Sequence, residues 1–303
     1  MKFNSQCIAS LAAMMLLGTP AVAEIAVEAE SLLTTWESSR VSEPTVVIDE
    51  EIRTVELLFA RSLDRPIDSK TAQQWTDLGF TIESLRLGDD TCHLLFERSD
   101  AHRGRGMFLL CPTREHSSML LVPHGFHDRF TAEIGILFAT EGRFRIVAWN
   151  TTPRRAIEDH ESDPESSEEA QALESYFTAL VRAASVLGLP GPMIQLHGFA
   201  SYRRSTEAGR TARAILSSGT NSPHRSTLEI AACLEGRLGE GLLVYPTEVN
   251  ELGGTHNRVA AVLRDWGRND FLHLELSFAL RKRLLQDVRT RRSLIECIGG
   301  SSR

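Results

Sequence analysis

The 303-residue chain lacks the signatures of several function classes. Beyond its N-terminal segment no stretch approaches ~18 consecutive apolar residues, so the pattern predicts no membrane-spanning helix in the mature chain. No two cysteines have C-x-x-C spacing, which argues against a zinc knuckle or a dithiol redox centre. A G-x-S-x-G elbow is absent, which disfavours a serine hydrolase. H-E-x-x-H is absent too, excluding a helix-borne zincin site. Internal repeats are lacking. Positive charge is in deficit, with Lys+Arg 33 against Asp+Glu 40 and a formal net charge of −7, so non-specific nucleic-acid binding is disfavoured.

The N-terminus has the layout of a cleavable export signal: Lys2, an apolar core from Ile8 to Gly18, and Ala21-Val22-Ala23 as an A-x-A cleavage site. Cleavage near Ala23 would leave a mature chain of 280 residues (303 minus 23), periplasmic or secreted, with a net charge of −8 once Lys2 is lost. Of five cysteines, Cys7 leaves with the signal. Cys92, Cys111, Cys233 and Cys297 remain, an even count that suits disulfides in an oxidising compartment. Cys92 and Cys111 flank two strand-like runs around a polar turn at 99–104, which predicts a 92–111 bridge.

Residues 24–115 read as a small α+β segment, either a subdomain or an extra layer on the main sheet. Helical periodicity covers Ala26 to Arg40, Glu50 to Arg61 and Thr71 to Gly79, followed by strands near 80–87, 92–97 and 105–111. Residues 116–303 alternate strand and helix, the pattern of an α/β domain with a mostly parallel or mixed twisted sheet and helices on both faces. The acidic connection from Arg154 to Glu169 reads as a solvated surface loop. The basic stretch from Phe278 to Cys297 reads as one terminal helix.

Three strand-like runs end in chemistry. Met119 to Val122 runs into Pro123-His124-Gly125-Phe126-His127-Asp128, Met193 to Leu196 into His197-Gly198-Phe199, and Phe271 to Leu276 encloses His273 and Glu275. Loops at strand carboxyl ends are open while the sheet beneath is rigid, so such positions suit metal ligands and catalytic groups. Neutral imidazole is a common zinc ligand, and a catalytic zinc takes three protein ligands plus water. This reading makes His124 and His197 ligands, with Asp128 as the third and His127 and Glu133 competing for that role. Period-2 alternation puts Glu275 on one face with His273 and Ser277. A carboxylate there must be paired or neutralised, the setting of a general base, or of a salt bridge with the terminal helix. Arg154 and Arg155, after the strand at 144–149, suit an anionic substrate, as do Arg203 and Arg204 after the second strand-end histidine.

The run from Pro123 to Ile134 resembles the first zinc motif of the zinc carboxypeptidase-like superfamily, nearest its N-formylglutamate amidohydrolase and poly-gamma-glutamate hydrolase branches. Ile194 to Phe199 resembles the second, strand-end histidine motif. Gly253-Gly254-Thr255-His256-Asn257 with Leu272 to Leu276 resembles the late region of the amidohydrolase branch. The resemblance covers roughly 118–290 and implies a phosphorylase/hydrolase-like fold, zinc on His124 and His197, and Glu275 as the catalytic carboxylate. One departure is plain: the superfamily commonly places Glu three residues after the first histidine, where this chain has His127, and the nearest acid is Asp128. The expected activity is zinc-dependent cleavage of an amide bond in a small acidic acyl-amino acid or glutamate-containing peptide. The competing expectation is a non-catalytic exported binding or scaffold protein. Oligomeric state is not legible from these residues.

Overall fold

The computed structural model describes residues 20–45, 47–114, 118–152 and 167–299, with side chains described from 27 onward and, after the last gap, from 176. Most of the expected export signal, residues 1–19, lies outside the described residues, as do 154–166 of the acidic connection.

Helices α1 (Pro20–Ser38), α2 (Asp49–Asp64) and α3 (Ser69–Asp77) precede strands β1 (Phe80–Leu87), β2 (Asp90–Glu97) and β3 (Met107–Leu110). Alternation then begins with β4 (Met119–Val122), α4 (Thr131–Glu141), β5 (Ile146–Trp149), α5 (Ser167–Val186) and β6 (Met193–Phe199). A short α6 (Glu207–Thr211), β7 (Ala214–Ser217), α7 (Arg225–Leu238), β8 (Leu242–Val244), α8 (Arg258–Asp265) and β9 (Phe271–Ser277) follow. Helices α9 (Phe278–Gln286) and α10 (Val288–Cys297) complete the order.

The strands form one sheet in the order β1-β2-β3-β5-β4-β6-β9-β7-β8. Its centre, β5-β4-β6-β9, is parallel, whereas β1, β2 and β3 join antiparallel at one side and β7 runs antiparallel to β9 at the other. The fold is thus α/β with a mixed sheet between helices, and the strands of segment 24–115 extend that same sheet. Successive strand residues alternate faces, and both faces are apolar. Leu120, Val122, Ile194, Leu196, Leu272 and Leu274 pack under α1, α4 and α10. Met119, Leu121, Met193 and Phe271 pack under α2, α5 and α8.

Two details depart from the sequence expectation. Residues 278–297 form two helices, because Asp287 is extended and its carboxylate accepts from Arg289 N (2.9 Å) and Thr290 Oγ1 (2.6 Å), starting a second helix. Strand β7 has no counterpart among the strand-like runs named from the sequence. Four residues carry too little periodicity to announce a strand, and its pairing with β9 supplies the partner.

Cys92 is bonded to Cys111 across β2 and β3, as the turn pattern predicts, and Cys233 on α7 is bonded to Cys297 on α10. With sequence separations of 19 and 64 between their cysteines, the loops correspond to about 3 and about 4 kcal/mol in the chain-entropy account. A second tie is ionic. Buried Glu97 accepts from Arg105 Nε (2.5 Å) and from the backbone N–H groups of Arg103, Gly104 and Arg105. Arg105 reaches Glu51 on α2 (3.2 Å), and Tyr176 on α5 donates to the same carboxylate (2.7 Å). Burial pushes the Tyr176 hydroxyl well above its ordinary range, so it remains a donor.

Candidate functional site

The parallel strands β4, β6 and β9 lie side by side, so their carboxyl ends open on one edge of the sheet. In register, His197 on β6 stands opposite Glu275 on β9, and Gln195 stands opposite His273 one row deeper. All four occupy the same face. His124 arrives from the turn after β4, and its ring centroid lies 5.0 Å from that of His197. The His197 and His273 rings are 4.5 Å apart.

Asp128 is placed by a tight turn. Its backbone N–H and that of His127 both donate to His124 O (2.8 and 2.9 Å), and its own carbonyl accepts from Thr131 N and Oγ1 at the start of α4. Phe130, just before α4, takes a left-handed conformation (φ 77°). The Asp128 carboxylate is consequently turned toward β6, where Oδ2 accepts from Gly198 N (3.0 Å) and lies 3.5 Å from His197 Nδ1.

The hydrogen bonds around His197 determine which ring nitrogen is basic. Asn257 Nδ2 donates to Gln195 Oε1, which makes that oxygen the acceptor for His197 Nε2 at 3.1 Å. In the neutral ring the lone pair then sits on Nδ1, facing Asp128 Oδ2. Two lone-pair donors at this separation repel unless a proton or cation lies between them. Two ligands sharing one tetrahedral zinc at ordinary bond lengths are roughly 3.4 Å apart. A second imidazole, His124, stands nearby, while the donor atoms that lie within 4.8 Å of one another belong to His197, His273 and Glu275. In donor chemistry, imidazoles beside carboxylates, the residues present suit a metal such as zinc.

Two cavities meet here. One of about 460 Å³ is lined by His124, Asn150, Gln195, His273 and the 252–259 loop. The other, of about 740 Å³, is lined by Asp128, Arg129, Tyr202, Arg203, Phe278 and Arg281 among others. His197 and Glu275 border both. A site shared by two chambers can take the two ends of one bound molecule.

His127 is exposed and borders the larger cavity. Glu133, on the first turn of α4, borders neither; its carboxyl is raised above the usual range by burial, with Glu37 of α1 adding to the effect. Arg154 and Arg155 lie outside the described residues.

His273, Gln195, Asn257 and Arg281 had no assigned part in the sequence reading. His273 is fully enclosed, and desolvation, followed by the neighbouring His197, holds its pKa well below the imidazole range. Its Nδ1 is buried without a hydrogen-bond partner, and His197, His273 and Glu275 offer donor atoms that all lie within 4.8 Å of one another. Period-2 alternation from Glu275 and His197 places His273 and Gln195 on the site face. Asn257 and Arg281 come from elsewhere in the chain and carry no comparable pattern.

No family model matches the chain, and no curated protein matches it. Several solved structures are similar at low identity. A gene product of Agrobacterium tumefaciens is 11% identical, with 61% of this chain and 88% of that one covered and a TM-score of 0.41. Succinylglutamate desuccinylase from Chromobacterium violaceum is 15% identical, over 75% of this chain and 74% of that one, with a TM-score of 0.39. A candidate metallopeptidase from Shewanella amazonensis is 12% identical, over 86% of this chain and all 100% of that one, with a TM-score of 0.37. At these identities the likeness concerns the fold alone.

Proposed function

We propose that the chain is an exported, metal-dependent hydrolase that cleaves an amide bond in a small acidic acyl-amino acid or a glutamate-containing peptide. The observation that carries this reading is the facing pair of lone-pair donors, His197 Nδ1 and Asp128 Oδ2, 3.5 Å apart where two cavities meet. His124, Asp128 and His197 would hold zinc. When bound, zinc polarises the scissile carbonyl and makes water a competent nucleophile near neutral pH.

The chain's own residues supply the rest. Glu275, opposite His197 in the strand register, takes a proton from the attacking water and passes it to the leaving amine nitrogen. Gly198 N–H fixes the Asp128 carboxylate, and Gln195, itself gripped by Asn257, fixes the His197 ring. Such outer contacts orient ligands and tune their basicity. Arg154 and Arg155, following β5, are proposed to hold a substrate carboxylate.

A second arrangement is favoured by the compactness of His197, His273 and Glu275: these three would hold the ion, leaving Asp128 to orient His197. Metal analysis of the purified protein separates the two. Under the first arrangement His124→Ala, Asp128→Ala and His197→Ala each lose stoichiometric zinc while His273→Ala keeps it; under the second, His273→Ala loses it and Asp128→Ala retains it. Full zinc retention in both His124→Ala and His197→Ala would refute the proposed site. A wild-type protein that binds no zinc, with chelator-insensitive behaviour, would support the binding-protein alternative.

Export is supported by the pairing of all four cysteines beyond Cys7 into two disulfides. Among the described residues no helix is long and apolar enough to cross a membrane. Cell fractionation with N-terminal sequencing tests export; a cytoplasmic protein still starting at Met1 would rule it out.

A further inference from the structure

The larger chamber carries an excess of cationic groups that the hydrolytic chemistry does not use. Arg129, Arg203, Arg204 and Arg281 border it, against Asp128 and Glu275 on the wall nearest the proposed metal. Arg204 is already paired, since Glu251 lies 3.7 Å from its Nη1. Arg129 and Arg203 are exposed, and among the described residues neither has an acidic group within ion-pair distance. Arg129 lies over the rings of Phe130 and Phe278, and Arg203 over Tyr202, so aromatic faces steady both cations.

Arg281 is built in more firmly. Only 4% of its surface is exposed, Nη1 donates to Arg129 O (2.6 Å), and Nη2 donates to Phe199 O (3.0 Å). Its guanidinium lies against Gly198, where any Cβ would collide with it. Its Nε–H is buried without a hydrogen-bond partner. An unmade bond on a buried cation costs free energy, so the guanidinium is held here against that cost by its two backbone acceptors. Phe199, Leu252 and Phe278 add apolar surface to a lining that also carries His127, Ser201 and Tyr202.

We propose that this chamber is an anion subsite for the free carboxylate of an acidic substrate, with Arg281 at its base and Arg129 and Arg203 at its rim. Arginine's planar fork suits carboxylates through paired N–H bonds. The subsite deepens the hydrolase reading by stating what holds the acidic half of the substrate, and rests on that reading only for calling the anion a substrate group. It is separate from the loop of Arg154 and Arg155.

The test is calorimetric binding of glutarate to the full-length Glu275→Gln protein, compared with the same protein carrying Arg129→Ala or Arg203→Ala. These side chains are exposed, so their truncation does not threaten the core. Each is expected to weaken glutarate binding roughly tenfold or more. In the active protein, each is expected to lower kcat/KM for an acidic acyl-amino acid relative to its neutral amide analogue by a similar factor. Unchanged glutarate affinity in both variants would overturn the subsite. Inorganic phosphate binding as tightly as glutarate, with the same arginine dependence, would overturn the carboxylate assignment. Arginine-dependent glutarate binding by a protein that holds no zinc and hydrolyses nothing would support the subsite and overturn the hydrolase reading.

Discussion

Glu97 and Glu275 are buried carboxylates on strands of the same sheet, in surroundings that differ in kind. Glu97 ends β2 and is filled by donors: the Arg105 guanidinium and three backbone N–H groups converge on it, and Arg105 in turn joins Glu51 and Tyr176. Neither of the two chambers at the candidate site borders it. Glu275 sits among imidazoles at the carboxyl ends of parallel strands and borders two cavities. A buried charge matched entirely from within the protein ties elements together. One held beside open volume and basic nitrogens is available to exchange protons with a ligand.

The sharpest way to break this contrast is to delete each carboxylate. Glu97→Ala leaves the Arg105 cation buried with its principal partner gone, at a cost of roughly 3–5 kcal/mol, a fall in the thermal midpoint on the order of 10 °C. Zinc content should be unaffected once the protein is folded. A native-like midpoint, measured by calorimetry, would remove the structural role of the cluster.

Under the proposed function, Glu275→Gln is expected to do the reverse: turnover falls roughly 10²–10⁴-fold, while the thermal midpoint holds or rises, because a buried charge is replaced by a neutral isostere. Steady-state kinetics beside a melting curve checks both halves. A large loss of stability with turnover intact would place Glu275 in the same class as Glu97.

Metal removal sharpens the comparison further. An ion that binds only the folded state stabilises it by about 3 kcal/mol at a hundredfold excess over Kd. Chelation should therefore lower the midpoint of the wild-type protein and leave that of His197→Ala unchanged. Equal shifts in both would place the bound ion elsewhere.

The smallest effect concerns a half-buried carboxylate that serves neither purpose. Glu251 accepts from Thr206 Oγ1 (2.6 Å), Thr206 N and Ser205 N, and the Thr206 hydroxyl, ahead of these amides, pulls its pKa down to about 2. Because the folded value lies below the ordinary 4.5, its contribution is complete above pH 4.5 and is lost as pH falls toward 2. Glu251→Gln should flatten that part of the acid-unfolding curve slightly. An identical curve would show that the contacts do not couple to folding.

Much of the fold was legible because its signals are local. Apolar runs ending in His124, His197 and Glu275 marked three central strands, and period-2 alternation assigned His273 the same face as Glu275. The polar turn between Cys92 and Cys111 announced their bridge. Strand β7 was not legible, since four residues hold less than a usable period. The break at Asp287 was hidden because helical periodicity continues on both sides of it. Gln195 shares the site face with His197 by the same alternation, whereas Asn257 and Arg281 acquire their parts through contacts spanning tens of residues, and nothing in their own neighbourhoods records that.

By itself the sequence determined the class of fold and which residues could carry chemistry, because burial patterns and strand ends are properties of short segments. Only the tertiary structure decided the order of strands, which sets His197 against Glu275 and brings Asp128 to His197 Nδ1. It also decided that the sheet of residues 24–115 and the main sheet are one, and that Arg281 lies beneath a cavity wall. Those relations depend on register and packing between distant segments, where the free energy lies in contacts that no local pattern encodes.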